Sequence, residues 1–166
     1  MARITGVILC GAALIAPLGG VLAQVPKIDG YDGYRFGMTI EEATKVKTGL
    51  SYVSCDFKDV VGCIQYPVTV SAFPAQVSVQ FKGATPRVVQ IVVSFDSLRE
   101  PNKNPCRAIS KEVFRLMAAK YGDAPLVKKG TATWASPNGG AVEMSSLCLD
   151  EATGMNVIVY RPSASL

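Results

Sequence analysis

The chain contains no histidine among its 166 residues. That absence removes the Ser-His and Cys-His nucleophilic pairs, the commonest general base and the commonest metal ligand. Carboxylates, lysines, hydroxyls, tyrosines and thiols remain for chemistry. Two acidic pairs, Asp96 with Glu100 and Asp150 with Glu151, have the residue types of a glycoside-hydrolase dyad, in which one acid protonates the leaving oxygen and the other serves as nucleophile or base. Both pairs sit at strand ends beside turn formers, where acidic side chains ordinarily face solvent. Ser110 and Lys111 supply the groups of a Ser-Lys dyad, yet neighbours along a helix point in different directions. A solvated first turn accounts for them. With no glycine-rich phosphate motif either, the sequence assigns no catalytic, cofactor-binding or metal residue, and no cofactor is expected.

The thiols are read through the first 23 residues. Arg3 is followed by an apolar run over 4–15, by the breakers Pro17, Gly19 and Gly20, and by Val21-Leu22-Ala23. This is the pattern of a secretory signal peptide cleaved after Ala23, and the run is shorter than the roughly 20 residues that span a bilayer. Leu9 precedes Cys10 where a lipobox places a small residue, so Cys10 is expected to leave with the leader. Residues 24–166 are then expected to form one periplasmic or secreted domain with no transmembrane segment. Its sixteen basic and thirteen acidic residues leave a net charge of +3, too mild and too dispersed for nucleic acid.

Cys55, Cys63, Cys106 and Cys148 remain after cleavage, and an even count in an exported chain reads as two disulfides. Zinc sites use close cysteine pairs two to four residues apart, a spacing absent here. Of three connectivities, the sequence favours Cys55 with Cys63, which flank a hairpin turning at Lys58-Asp59-Val60. Cys106 then pairs with Cys148.

These groups must be positioned by a helix, four strands, a second helix and four further strands. Thr39 and Glu42 form a capping box that starts a helix at Ile40, expected to stop at Gly49. Strands are expected over 51–57, 62–66 with an extension toward 71, 76–82 and 87–95, with Val89, Ile91, Val93 and Phe95 forming one apolar row. Asn104 is available as N-cap for a second helix over 105–121 ending at Gly122. Its stripe of Cys106, Ile109, Val113, Leu116, Met117 and Tyr121 turns Cys106 inward. Strands over 126–129, 131–135, 141–149 and 155–160 complete the chain. Asp29-Gly30-Tyr31-Asp32-Gly33 is a turn rather than a calcium loop.

The expected fold class is therefore α+β, with two helix-plus-antiparallel-strand halves over 34–96 and 104–160 and both helices packed on one face of antiparallel sheet, the halves either joined edge to edge or forming two separate sheets linked by the 97–105 loop. The core candidates are Phe81, Ile91, Val93, Phe95, Val113, Met117, Trp134, Val157 and Val159. Trp134, with Tyr160 on a neighbouring strand, and the cluster Tyr31, Tyr34 and Phe36 are open to either packing or recognition.

The run Phe36-Gly37-Met38-Thr39-Ile40-Glu41-Glu42-Ala43 resembles the Phe-Gly-Met-Thr helix start of the β-lactamase inhibitory protein group. It is also similar to the Gly-Met-Thr start in the small lipoprotein of the outer-membrane β-barrel assembly machinery. The resemblance covers 36–43, or 36–63 with the cysteines included, and implies an exported unit of helix on antiparallel sheet. In the inhibitor group two nearby cysteines after the helix form a bridge, and Cys55 with Cys63 looks similar. The second half lacks the motif at Pro105-Cys106-Arg107, and no functional residue is carried over. The combined reading is a non-enzymatic cell-envelope protein that binds an envelope protein or glycan. Its alternative is a carboxylate-dependent hydrolase of an envelope polysaccharide.

Overall fold

The computed structural model describes residues 26–98, 102–124, 126–128, 130–137 and 139–163. The expected leader, with Cys10, lies outside the described residues. In chain order the elements are β1 (Gly30–Tyr31), β2 (Tyr34–Arg35), α1 (Ile40–Thr44), β3 (Tyr52–Val53), β4 (Gly62–Val70), β5 (Phe73–Lys82) and β6 (Arg87–Asp96). They continue with α2 (Cys106–Tyr121), β7 (Leu126–Lys128), β8 (Thr131–Ala135), β9 (Ala141–Cys148) and β10 (Gly154–Arg161).

The expected pair of helix-plus-strand halves is not what forms. One eight-stranded antiparallel sheet, in the order β3-β4-β5-β6-β10-β9-β8-β7, dominates the molecule. Its seam is the pairing of β10 with β6, which runs from Met155 opposite Asp96 to Tyr160 opposite Ile91. The helices are not equivalent layers either. Thr39 and Glu42 close their capping box, with the Glu42 amide donating to Thr39 Oγ1 at 3.2 Å and the Thr39 amide donating to Glu42 Oε2 at 2.8 Å. Even so, α1 ends at Thr44 after five residues, far short of Gly49. A strong cap satisfies the first amides but does not extend a helix, and the following Val46 and Thr48 are β-branched residues with lower helix propensity. Only α2, with 16 residues, is long enough to cover sheet.

The buried stripe of α2 is Cys106, Ile109, Val113, Met117 and Tyr121. It packs on the sheet face that carries Val77, Val79, Phe81, Ile91, Val93, Phe95, Val142, Met144 and Trp134. Pro105 stands at the N-cap with no side-chain bond, and the amides of Cys106 and Arg107 donate instead to the carbonyls of Ala152 and Glu151 at 2.9 and 3.1 Å. The turn between β9 and β10 therefore does the capping expected of Asn104, which is itself buried. At the other end Gly122 takes φ +83° and its carbonyl accepts from Trp134 Nε1 at 2.7 Å.

The apolar row of β6 holds at Ile91, Val93 and Phe95 and departs only at Val89, whereas β10 has the opposite parity to that expected. A bulge between Gln80 and Phe81 puts Val88 opposite Phe81, so Val88 is buried and Val89 is only half-buried. In β10 the core face belongs to Asn156, Ile158 and Tyr160, while Val157 and Val159 lie on the other face. The expected core positions Val157 and Val159 are thus corrected. Strand 51–57 also shrinks to Tyr52–Val53, because the chain leaves the sheet before Cys55.

Candidate functional site

Both expected cysteine pairs are at bridging distance, with Cα separations of 5.9 Å for Cys55 and Cys63 and 5.7 Å for Cys106 and Cys148. In β-register Cys63 faces Val53 rather than Cys55, so the first bridge ties the loop after β3 diagonally back onto β4. That loop turns at Asp59, which has φ +63°. The second bridge joins the start of α2 to the end of β9, and Asn156 Nδ2 donates to the Cys106 carbonyl at 2.9 Å beside it.

The expected carboxylate chemistry is not assembled. Asp150 Oδ1 accepts the backbone amides of Ala152 and Thr153 at 2.8 and 2.6 Å, and these bonds hold its carboxyl below the usual range. A general acid needs the opposite shift. Glu151 pairs with Arg107 at 3.1 Å. Asp96 lines a hollow of about 620 Å³ with Gln76, Ser94 and Asn104, and its expected partner Glu100 lies outside the described residues. Among the described residues no cluster of three or more potential ligands is placed to hold a metal ion.

The aromatic candidates resolve as packing. Trp134 is 1 % exposed. It lies two strands from Tyr160, since both face Val142 from opposite sides of β9. Tyr31 packs on Tyr160 with ring centroids 5.0 Å apart, and Tyr34 on Tyr66 at 5.8 Å. Asp32 and Gly33 both take positive φ, +52° and +90°, so Asp29 to Gly33 belongs to a two-residue hairpin that docks the tyrosines on the sheet. Asp32 Oδ2 accepts from Tyr66 Oη at 3.0 Å and meets Lys47 Nζ at 3.1 Å. Burial, reinforced by that bond to Asp32, pushes the Tyr66 phenol far above its ordinary range, and burial does the same to Tyr160. Neither is a nucleophile.

Two surfaces remain. One is a cleft of about 570 Å³ between α2 and the sheet edge β7 to β9, lined by Phe114, Val127, Ala132, Met144 and Cys148 with Arg107, Ser110 and Lys111 at its helix side. Ser110 and Lys111 thus share a cleft, but no hydrogen bond joins them among the described residues. The other is the sheet face away from α2. Register places Gln65, Ser78, Val92, Val159, Glu143 and Thr133 in one row across six strands. Pro67, Gln76, Ser94, Val157, Ser145 and Thr131 form the next. Glu143 is the one charged residue in these two rows.

No protein-family model matches the chain, and no curated protein or solved structure matches it. The two surfaces must therefore be read from their own chemistry. The Phe36 to Ala43 run serves the fold: the Gly37 amide donates to the Val88 carbonyl at 2.8 Å, and Arg87 Nη1 returns to the Gly37 carbonyl at 2.8 Å. Sequence reasoning missed the charge-poor sheet face, because the parity of β10 was the signal for it and its valines read as core.

Proposed function

We propose that the protein is an exported, non-enzymatic cell-envelope protein that binds another envelope protein across the open face of its sheet. The observation that carries this reading is the scarcity of charge in the two central rows of that face. A merely solvated strand face tolerates Lys and Glu freely, whereas the centre of an interface is depleted in charge. Beside the rows, Arg161 Nε donates to Gln90 Oε1 and Gln90 Nε2 donates to Gln80 Oε1, both at 3.2 Å, so even this cation is tied into an amide ladder. Leu147 and Met155, 67 % and 46 % exposed, face each other at the opposite end. This pair adds exposed apolar surface to one end of a mostly uncharged polar face.

Export is supported by the leader pattern of 1–23 and by the two cysteine pairs, which suit an oxidising compartment. Intact-mass analysis of the envelope fraction should find a chain beginning at Gln24 without lipid. A chain retaining residues 1–23 would overturn the export reading.

The binding reading is tested in living cells with a photo-cross-linking residue at position 157 and, as control, at the exposed position 115 of α2. A discrete envelope-protein adduct formed from position 157 and absent from position 115 is expected. Equal adducts from both positions, or none from either, would refute the sheet face as the site.

A further inference from the structure

The cleft beneath α2 lies on the other side of the sheet and shares only Thr131, at the edge of both, with the rows of the partner surface. We infer that it binds a single-chain carboxylate amphiphile, with the acyl tail between helix and sheet edge and the carboxylate at Arg107 and Lys111. Its volume of about 570 Å³ falls within the roughly 300–1,000 Å³ of small-molecule sites, which are mainly apolar with a few placed polar groups.

The tail would lie against Phe114, Val127, Ala132 and Met144, with Gly130, Thr131 and Ser146 completing the sheet side of the cleft. Phe114 and Val127 come from different elements and are 39 % and 63 % exposed, so two large apolar side chains border a shared hollow that neither closes. The Phe114 ring rests 5.8 Å from the buried Trp134 ring, which gives the cleft a fixed wall.

The head site follows from charge. Arg107 and Lys111 are four residues apart on α2 and therefore lie on one side of the helix. Among the described residues no Asp or Glu lines the cleft. Glu151 meets Arg107 at 3.1 Å from a position 80 % exposed, which is a weak solvent-screened pair, and Lys111 makes no ion pair with a described residue. A ligand with an apolar body and one anionic end satisfies both halves of the cleft. A neutral or cationic amphiphile leaves the head site unmatched.

Isothermal titration of the folded, oxidised protein with decanoate, octanoate and decanol tests this. Decanoate should bind, and octanoate should bind more weakly by up to about fourfold for each buried methylene lost. Decanol should be weaker than decanoate. Lys111→Gln and Arg107→Gln should each weaken decanoate about fivefold and leave decanol unchanged. Val127→Asp, at an exposed position, should abolish binding of all three without unfolding the protein. Equal affinity for decanoate and decanol, or indifference of decanoate to both charge variants, would overturn the carboxylate assignment. No binding of any probe, or binding that survives Val127→Asp, would overturn the cleft assignment.

Discussion

Glu112 shows how a single half-buried side chain at the surface can carry pH dependence. Its carboxylate accepts from Arg115 Nε and Nη2, both at 2.8 Å, and from Ser71 Oγ at 3.1 Å. The Arg115 bonds first, and the Ser71 bond second, lower its pKa from the usual 4.5 to about 2. A carboxyl whose folded pKa is depressed adds stability that is complete above its unfolded pKa and is lost as pH falls through the folded value. Glu112→Gln should therefore be less stable than wild type at neutral pH, and the gap should shrink between pH 4.5 and about 2. Denaturant midpoints across that range measure it. Asp150 is lowered too, so the variant should keep part of the acid slope; a gap constant with pH would refute the assignment. At this scale the sequence was legible wherever the interaction was local. Thr39 and Glu42 lie three residues apart and found each other, whereas Ser71 and Glu112 are 41 residues apart and nothing in the sequence joined them.

Among the elements, the bridge between α2 and β9 should matter more than the bridge behind β3. The two span 42 and 8 residues of sequence, for which loop-closure entropy gives about 4 and about 2.6 kcal/mol. The double variant Cys106→Ala with Cys148→Ala should accordingly lose more stability in denaturant titrations than Cys55→Ala with Cys63→Ala. The reverse order would show that native contacts, not unfolded-chain entropy, set the contribution. Strand parity makes a second comparison. Ile158 is 4 % exposed on the α2 face, so Ile158→Ala should cost about 2–5 kcal/mol, while Val157→Ala on the open face should cost clearly less. Period-two patterning failed in β10 because Asn156-Val157-Ile158-Val159-Tyr160 is apolar at four of five positions and supports either register. The structure puts Asn156 on the α2 face, where its amide donates to the Cys106 carbonyl inside the core.

For the whole molecule, the seam between β6 and β10 decides how the chain unfolds. It pairs residues 91–96 with residues 155–160 in one continuous sheet, so separate halves have no independent edge at which to part. Trp134 fluorescence, which reports β8, and far-ultraviolet circular dichroism, which reports the full sheet, should give coincident denaturation curves. Two resolved transitions would instead favour separable halves. The sequence alone determined the helix starts, the approximate strand positions, the cysteine partners and the poverty of catalytic groups, because capping, alternation and composition act over a few residues or over none. Only the tertiary structure decided that the strands form one sheet, that α1 stays at five residues, and that Val157 and Val159 face outward. It alone brought Arg107 and Lys111 to the rim of an apolar cleft. These outcomes depend on which strand edges meet and which face α2 covers, and such pairings between distant segments leave no mark in local spacing.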